Sequence, residues 1–228
     1  MKRRYYNGRD PALAQSIADL RAMALRRLPG FVAEYMEGGA EEEVTLRANR
    51  AAFAAPPLVA RVLRDVRDVQ TGTAVLGQPA PLPLAIAPTG YAGIFWPGGD
   101  LALARAAANA GLPFCQSMMS NTALSQVRAD TGCRHWMQVY PFGAAVVDRV
   151  MESAAKAGTE AIVLTVYGPA IGNRDWDRRN YRRPFALNAR SFAEMLTHPR
   201  WLATGPLRGL PGFPDIEAFA PPGTKGTA

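Results

Sequence analysis

The sequence predicts an α/β protein built on a parallel sheet covered by helices, and three observations predict it. Four short, largely apolar runs have strand length: "PLPLAIAP" at 81–88, "LPFCQS" at 112–117, "HWMQVY" at 135–140 and "EAIVLTV" at 160–166. A stretch of helical periodicity separates each run from the next. The repeat is roughly 20–25 residues, enough for a strand, a crossover helix and two turns, and continuous apolar strands of this kind are buried on both faces.

Upstream of this repeat the chain is helical. In "PALAQSIADLRAMALRRL" (11–28), Leu13, Ile17, Leu20, Ala24 and Leu28 share one face, and Pro29-Gly30 ends the run. "FVAEYMEG" (31–38) reads as a short second helix that stops at Gly38-Gly39. "EEEVTLRANRAAF" (41–53) reads as a third, with its acidic residues at the end the helix dipole favours. "RVLRDV" (61–66) and "TAVLG" (73–77) read as two short strands. Within the repeat, "GDLALARAAANAG" (99–111) is a helix with Asp100 as N-cap and Gly111 at its end. "NTALSQVRAD" (121–130), capped by Asn121, and "AAVVDRVMESAAKAG" (144–158) supply the next two helices. Three regions are therefore expected: helices and a short strand pair over 1–78, the sheet repeat over 79–185, and an irregular Pro/Gly-rich tail over 186–228.

Composition narrows the function classes. The chain has 228 residues, 48% hydrophobic and 20% charged, an ordinary globular balance able to bury a core. Its net charge of +7 comes with arginines spread over the whole length, which reads as a solvated basic surface. No aromatic stacking platform accompanies "RDWDRRNYRR", so no nucleic-acid partner is expected. Cys115 and Cys133 have neither CxxC spacing nor a histidine pair nearby, so no metal is expected, and a reduced cytoplasmic setting is the simplest reading. "MKRRYYNGRD" is followed by no apolar leader core, and the apolar stretch 81–97 is broken by Pro88, Gly90 and Gly93.

A doubly wound sheet and a (β/α)₈ barrel both fit this order. No GxGxxG follows the first strand and no P-loop is present. Either architecture binds ligands at the C-terminal ends of its strands. Those ends carry Pro88-Thr89-Gly90, Ser117, Gln138 with Tyr140, and Thr165 with Tyr167. The set is polar, uncharged and rich in hydrogen-bonding groups, which suits a planar polar heterocycle better than a metal or a triphosphate. Plainer roles compete: Ser117 and Thr165 can satisfy buried backbone, Pro88-Thr89-Gly90 can be a turn, and Tyr35 and Tyr140 can pack their rings. Arg174 can belong to a solvated charge run or a phosphate patch.

"LPGFVAEYMEGGAEEEVTLRANRAAF", "PLAIAPTG", "GGDLALARAAANAGLPF", "HWMQVY" and "AIVLTVYGPAIGNRD", in this order and spacing, resemble the FMN-dependent 2-hydroxy-acid oxidoreductases. That family includes glycolate and lactate oxidases and the mandelate and L-lactate dehydrogenases. The resemblance covers about residues 1–185 and implies a TIM-type (β/α)₈ barrel, of which only about the first four βα units are present, with FMN at the strand ends. It implies cofactor contacts from Pro88, Thr89, Gly90, Ser117, Gln138 and Thr165. It places Tyr140 at the substrate hydroxyl as a catalytic group, and Tyr35 and Arg174 at the substrate carboxylate. The implied reaction oxidises a lactate-, mandelate- or glycolate-like 2-hydroxy acid to a 2-oxo acid.

The resemblance also implies groups that these residues do not supply. The family's histidine base, flavin lysine, second arginine and glycine-rich phosphate loop belong to later strands. His135 and His198 do not match the base, and Lys2, Lys156 and Lys225 do not match the lysine. Where the family carries an aspartate after Thr-Val, this chain has Tyr167. Losing the aspartate of an analogous Asp-His pair costs about 10⁴ in rate. The chain alone is therefore expected to be inactive; a non-catalytic fragment of a split or truncated gene is the alternative, and a basic nucleic-acid-binding module built on "RDWDRRNYRR" is the less favoured third reading. A half-barrel leaves open sheet edges, so it is expected to self-associate or to pair with a separately encoded second half. Some relatives dock on membranes after the fourth strand. Over 191–213, Trp201, Leu202, Leu207, Leu210 and Phe213, with Arg200 and Arg208, are expected to give weak contact with a membrane surface.

Overall fold

The computed structural model describes residues 5–6, 8–166, 172–183, 186–209 and 212–216. The elements in chain order are α1 (Ile17–Arg27), α2 (Gly30–Glu37), α3 (Val44–Ala52), β1 (Thr73–Val75), β2 (Gln78–Ala80), α4 (Ala92–Phe95), α5 (Gly99–Asn109), β3 (Pro113–Ser117), α6 (Leu124–Thr131), β4 (Arg134–Val139), α7 (Ala144–Lys156), β5 (Ala161–Leu164), α8 (Asp175–Asn180), β6 (Tyr181–Arg183), β7 (Ala186–Leu187), α9 (Ala189–Leu196) and α10 (Pro199–Thr204). The described residues divide into two compact units. One is drawn from Met1–Phe53 and Ala170–Leu210, the other from Ala54–Pro169 and Pro211–Gly226.

In the first unit the expected helix over 11–28 is split. A single 3₁₀ turn over Pro11–Leu13 precedes α1. Asp19 causes the break, because its carboxylate accepts from Tyr6 N (2.7 Å), Gln15 N (3.0 Å) and Ser16 Oγ (3.0 Å). Ser16 in return caps α1 by accepting from Asp19 N, so the amides just upstream are already satisfied without a helix. The same contacts, with Tyr6 N–H first, hold the Asp19 carboxyl below its ordinary range. The expected third helix starts late, at Val44, because Glu41 and Glu43 adopt left-handed backbone (φ 49° and 59°).

The segment 186–228 was expected to be irregular, and among its described residues two stretches, α9 and α10, are helical. Asn188 caps α9 by accepting from Ser191 N at 2.9 Å, and Pro199 sits in the first turn of α10, where proline is compatible with a helix. Trp201, expected at a membrane surface, is instead buried edge-on against Phe31 (centroids 5.8 Å apart, 88°). Phe213 packs on Tyr91 at 5.2 Å, Leu207 is exposed, and Leu210 lies outside the described residues. Among the described residues no helix is long and apolar enough to cross a membrane.

The second unit holds a three-stranded parallel sheet in the order β3-β4-β5, with Ser117 opposite Gln138 and Gln138 opposite Val163. Alternate residues take opposite faces. Phe114 packs with Ala104 and Ala107 of α5 and Val127 of α6, while Met137 and Val139 pack with Leu124, Val150 and Ala154. That leaves Cys115, Ser117 and Gln138 on the face away from these helices. Burial pushes the Cys115 thiol up to about 11, so it is inert at neutral pH.

Three expectations for this unit are corrected. Residues 61–66 form no strand. β1 pairs instead with β2 through the two-residue turn Leu76-Gly77, both at positive φ, the geometry that matches hairpin twist. Residues 81–88 make one parallel bridge, Ile86 to Phe114, rather than a buried strand. Ile86 N donates to Pro113 O and Cys115 N to Ile86 O, each at 2.9 Å, while the prolines at 81 and 83 have no N–H for a ladder. The helix starts also differ. Gly98 in left-handed backbone precedes α5, and Ala123 precedes α6, so neither Asp100 nor Asn121 is the cap.

A polar link joins β3 to β4 on the helix side. Fully buried His135 places Nε2 2.9 Å from Gln116 Oε1 and Nδ1 3.0 Å from Thr159 Oγ1, and Gln116 donates to Thr122 O at 2.8 Å. Burial, followed by the nearby Arg128 charge, lowers the imidazole pKa to about 4. The folded state therefore resists protonation that the unfolded chain accepts below 6.5. The stabilisation is present above that value and is lost as pH falls towards about 4, at most about 3 kcal/mol in all. Imidazole NMR checks this: His135 should stay neutral until the pH approaches 4, and a midpoint near 6.5 would contradict it.

Candidate functional site

Three strand ends converge through hydrogen bonds. Ser117 Oγ donates to Gln138 Oε1 at 3.0 Å, and Gln138 Nε2 donates to Thr165 Oγ1 at 2.7 Å. Parallel pairing brings this about. Ser117 and Gln138 are register partners, and Thr165 lies two residues past Val163, on the same face; its N–H donates to Val139 O at 2.9 Å. Ser117 and Gln138 are buried and Thr165 is half-buried, so the row opens from β3 towards β5.

Hydrogen-bonding capacity shows what the row can offer. Ser117 Oγ also accepts from Met119 N at 3.1 Å, so its hydroxyl is committed to the protein. Gln138 keeps one amide N–H, and Thr165 keeps its O–H. Two neutral donors from adjacent strand ends suit the carbonyl and ring-nitrogen acceptors of a planar heterocycle. In this respect the residues present fit the pyrimidine edge of a flavin.

The first strand end joins the row through the chain after Ile86. Pro88 is half-buried, Thr89 is exposed, and Gly90 lies against the loop that follows β3. A Cβ on Gly90 would sit 2.9 Å from Met119 Cβ and 3.6 Å from Ser117 Oγ. Tyr91 N donates to Met119 O at 2.8 Å, which fixes this approach. Gly90 is therefore required by the loop it touches, whatever else binds there. Met119, which sequence reasoning did not single out, is the residue Gly90 approaches; its position just after Ser117 was the only available signal. Tyr140 follows β4, half-buried, with its ring stacked on Phe142 (5.1 Å, 14°) and its N–H directed at Met118 Sδ.

Tyr35 and Arg174 belong to the other unit, where they meet. Arg174 Nη2 donates to Tyr35 O at 2.5 Å, and its guanidinium carbon lies 5.2 Å from the Tyr35 ring centroid. Trp176 extends the cluster: its Nε1 donates to Glu43 Oε1 at 3.2 Å, and Arg179 covers its ring at 4.8 Å. The Gly39 N–H and then the Trp176 N–H hold the Glu43 carboxyl below its ordinary range. Tyr167 lies outside the described residues. Of the two histidines, His135 sits in the buried network and His198 closes α9, with Nδ1 3.1 Å from Glu194 O. Among the described residues no group of three or more His, Cys, Asp or Glu side chains could hold a metal ion.

The row makes a prediction about coupling. Gln138→Leu strands the Ser117 and Thr165 hydroxyls and should cost about 1–3 kcal/mol of stability. Adding Ser117→Ala to that variant should then cost less than Ser117→Ala alone. Urea unfolding of the four proteins checks it, and simple additivity would show that the two side chains act independently.

The chain is similar in sequence and fold to known proteins. A family profile described as FMN-dependent dehydrogenase matches residues 24–217. The (S)-mandelate dehydrogenase of Pseudomonas putida is 34% identical over 197 residues, 86% of this chain and 50% of that protein. An L-lactate dehydrogenase of Pseudomonas syringae pv. syringae (strain B728a) is 34% identical over 201 residues, 87% of this chain and 53% of that protein. A crystal structure of monotopic membrane protein (S)-mandelate dehydrogenase superposes with a TM-score of 0.84 at 33% identity, covering 92% of this chain and 56% of that one. The chain spans about half the length of the curated relatives it matches.

Proposed function

The chain belongs to the FMN-dependent dehydrogenase family, and from that premise we propose that it supplies the flavin's pyrimidine-side seat in an oxidoreductase converting a 2-hydroxy acid to a 2-oxo acid. The observation that carries this reading is the Ser117–Gln138–Thr165 row at three successive strand ends. FMN, when bound, takes up the two electrons released by the substrate.

The chain's own residues have simpler tasks. The free Gln138 N–H and the Thr165 O–H hold the heterocycle, and Ser117 keeps the Gln138 amide turned for it. Gly90 and Met119, which meet at their backbones, give the seat an apolar side, and Pro88 and Thr89 continue it. Tyr140 orients the substrate hydroxyl. Tyr35 and Arg174 hold the substrate carboxylate by phenol and guanidinium hydrogen bonds. The reading draws the proton-accepting base from residues outside these 228, because both ring nitrogens of His135 are engaged in the buried network and His198 closes a helix.

Exposed apolar surface supports a second half completing the fold. Leu164 and Val166 along the β5 side, Leu84 on the opposite edge, and Leu58, Val62 and Leu63 in the extended segment are all exposed. Burying each such side chain contributes about 1.5–3 kcal/mol. We assign these surfaces to the remaining part of the barrel, continuous with this chain or supplied separately.

Anaerobic mixing with FMN and lactate or mandelate tests the reading. The 228-residue chain alone should hold no FMN tightly and leave it yellow. Supplied with the C-terminal half of the P. putida mandelate dehydrogenase, it should retain FMN and bleach with mandelate. A chain that bleaches flavin alone contradicts the placement of the base, and an assembled hybrid that retains no FMN contradicts the seat.

A further inference from the structure

Arg174 is tethered on both sides, within the unit that also contains Tyr35. Just before it, Asn173 offers its carbonyl to Glu41 N at 2.9 Å; just after it, Trp176 Nε1 donates to Glu43 Oε1 at 3.2 Å. Both partners belong to the turn 38–43, which joins α2 to α3. α2 carries Tyr35, whose carbonyl accepts from Arg174 Nη2 at 2.5 Å. One turn thus connects the two groups: Tyr35 stands at its near end, and Arg174 lies between its two tethers.

The turn is shaped for this contact. Glu43 Oε1 also accepts from Gly39 N at 3.0 Å, so a single carboxylate oxygen closes the turn and fastens it to the indole. Glu43 stands where an acid ordinarily caps a helix, yet its side chain caps no amide of α3. Glu41 and Glu43 adopt left-handed backbone, at φ 49° and 59°. That conformation is costly for a residue with a side chain and persists where surrounding contacts impose it. Gly38 leaves room for the ring: a Cβ there would stand 2.7 Å from both Glu34 O and Trp176 Cδ1.

We propose that Glu43 is a positioning residue: through Trp176 it fixes Arg174 against Tyr35, and so sets the spacing of the two groups that receive the substrate carboxylate. This rests on the reading that Tyr35 and Arg174 take that carboxylate, and it adds what holds them in place. A carboxylate is bound well only when its donors stand at a fixed separation, because a misplaced donor loses a charge-assisted hydrogen bond. Arginine has a long side chain with many rotamers. Tethering the backbone on both sides of Arg174 removes part of that freedom before the ligand arrives.

Two NMR readouts on the full 228-residue chain test it. The first is the Overhauser contact between the Arg174 side chain and the Tyr35 ring, whose guanidinium carbon and centroid lie 5.2 Å apart. Glu43→Ala should lose this contact. Glu43→Gln should keep it, because its amide oxygen can accept both N–H groups. Trp176→Phe keeps a ring beside Gly38 but has no N–H, and should lose the contact as Glu43→Ala does. A merely structural Glu43 would lower stability and leave the contact intact in the folded chain. The second readout is titration with mandelate, followed at Tyr35 and Arg174. Binding should weaken roughly tenfold in Glu43→Ala and stay at the wild-type level in Glu43→Gln. A contact that survives in Glu43→Ala, or in Trp176→Phe where the alanine variant does not fold, overturns the positioning. Mandelate that leaves the wild-type Tyr35 and Arg174 signals unmoved contradicts the carboxylate reading instead, and the Overhauser contact still decides whether Glu43 positions Arg174.

Discussion

Ser117 lies opposite Gln138 in parallel register, and this pairing places the hydroxyl of one strand end against the amide of the next. A slip of one residue on β4 would turn Gln138 into the helix layer and bring Val139 to the open face. The helix-side cores of Phe114, Met137 and Val139 prevent that slip, since each would have to leave a packed cluster. The hydrophobic layer thus does more than hold the sheet together. It fixes which polar groups stand at the strand ends, and the chemistry open to the site follows from that choice.

Much of the sheet layer was legible because its signal is physical and local. The buried runs 113–117 and 134–139 are continuous and apolar enough to be strands covered on both faces, and glycines bound the helices between them. The run 81–88 has the same composition, yet its prolines leave it a single bridge, so composition overstated its pairing. Residues 189–204 failed in the opposite sense. Their Pro/Gly setting suggested irregular chain, while Asn188 and Pro199 were in fact helix-start signals.

Site residues divide in the same way. The strand-end position and the family resemblance pointed to Ser117, Gln138 and Thr165, but neither could reveal that they bond to one another. The plain alternative for Ser117 also holds in part, because its oxygen accepts a backbone N–H from Met119. Asp100 was legible as an acid near a helix start, and its actual direction, inward to the amides of 121 and 122, depends on tertiary contacts. Glu43 read as an acid at a helix start, and its bond to Trp176, far along the chain, left no local signal.

The most direct test of the central claim is the response of the Gln138 side-chain amide to FMN, followed by NMR in the isolated chain at concentrations high enough for weak binding. The account predicts that the Gln138 amide signals and those of Thr165 move most, with Ser117 following. An unmoved Gln138, with the largest shifts elsewhere in the chain, would contradict it.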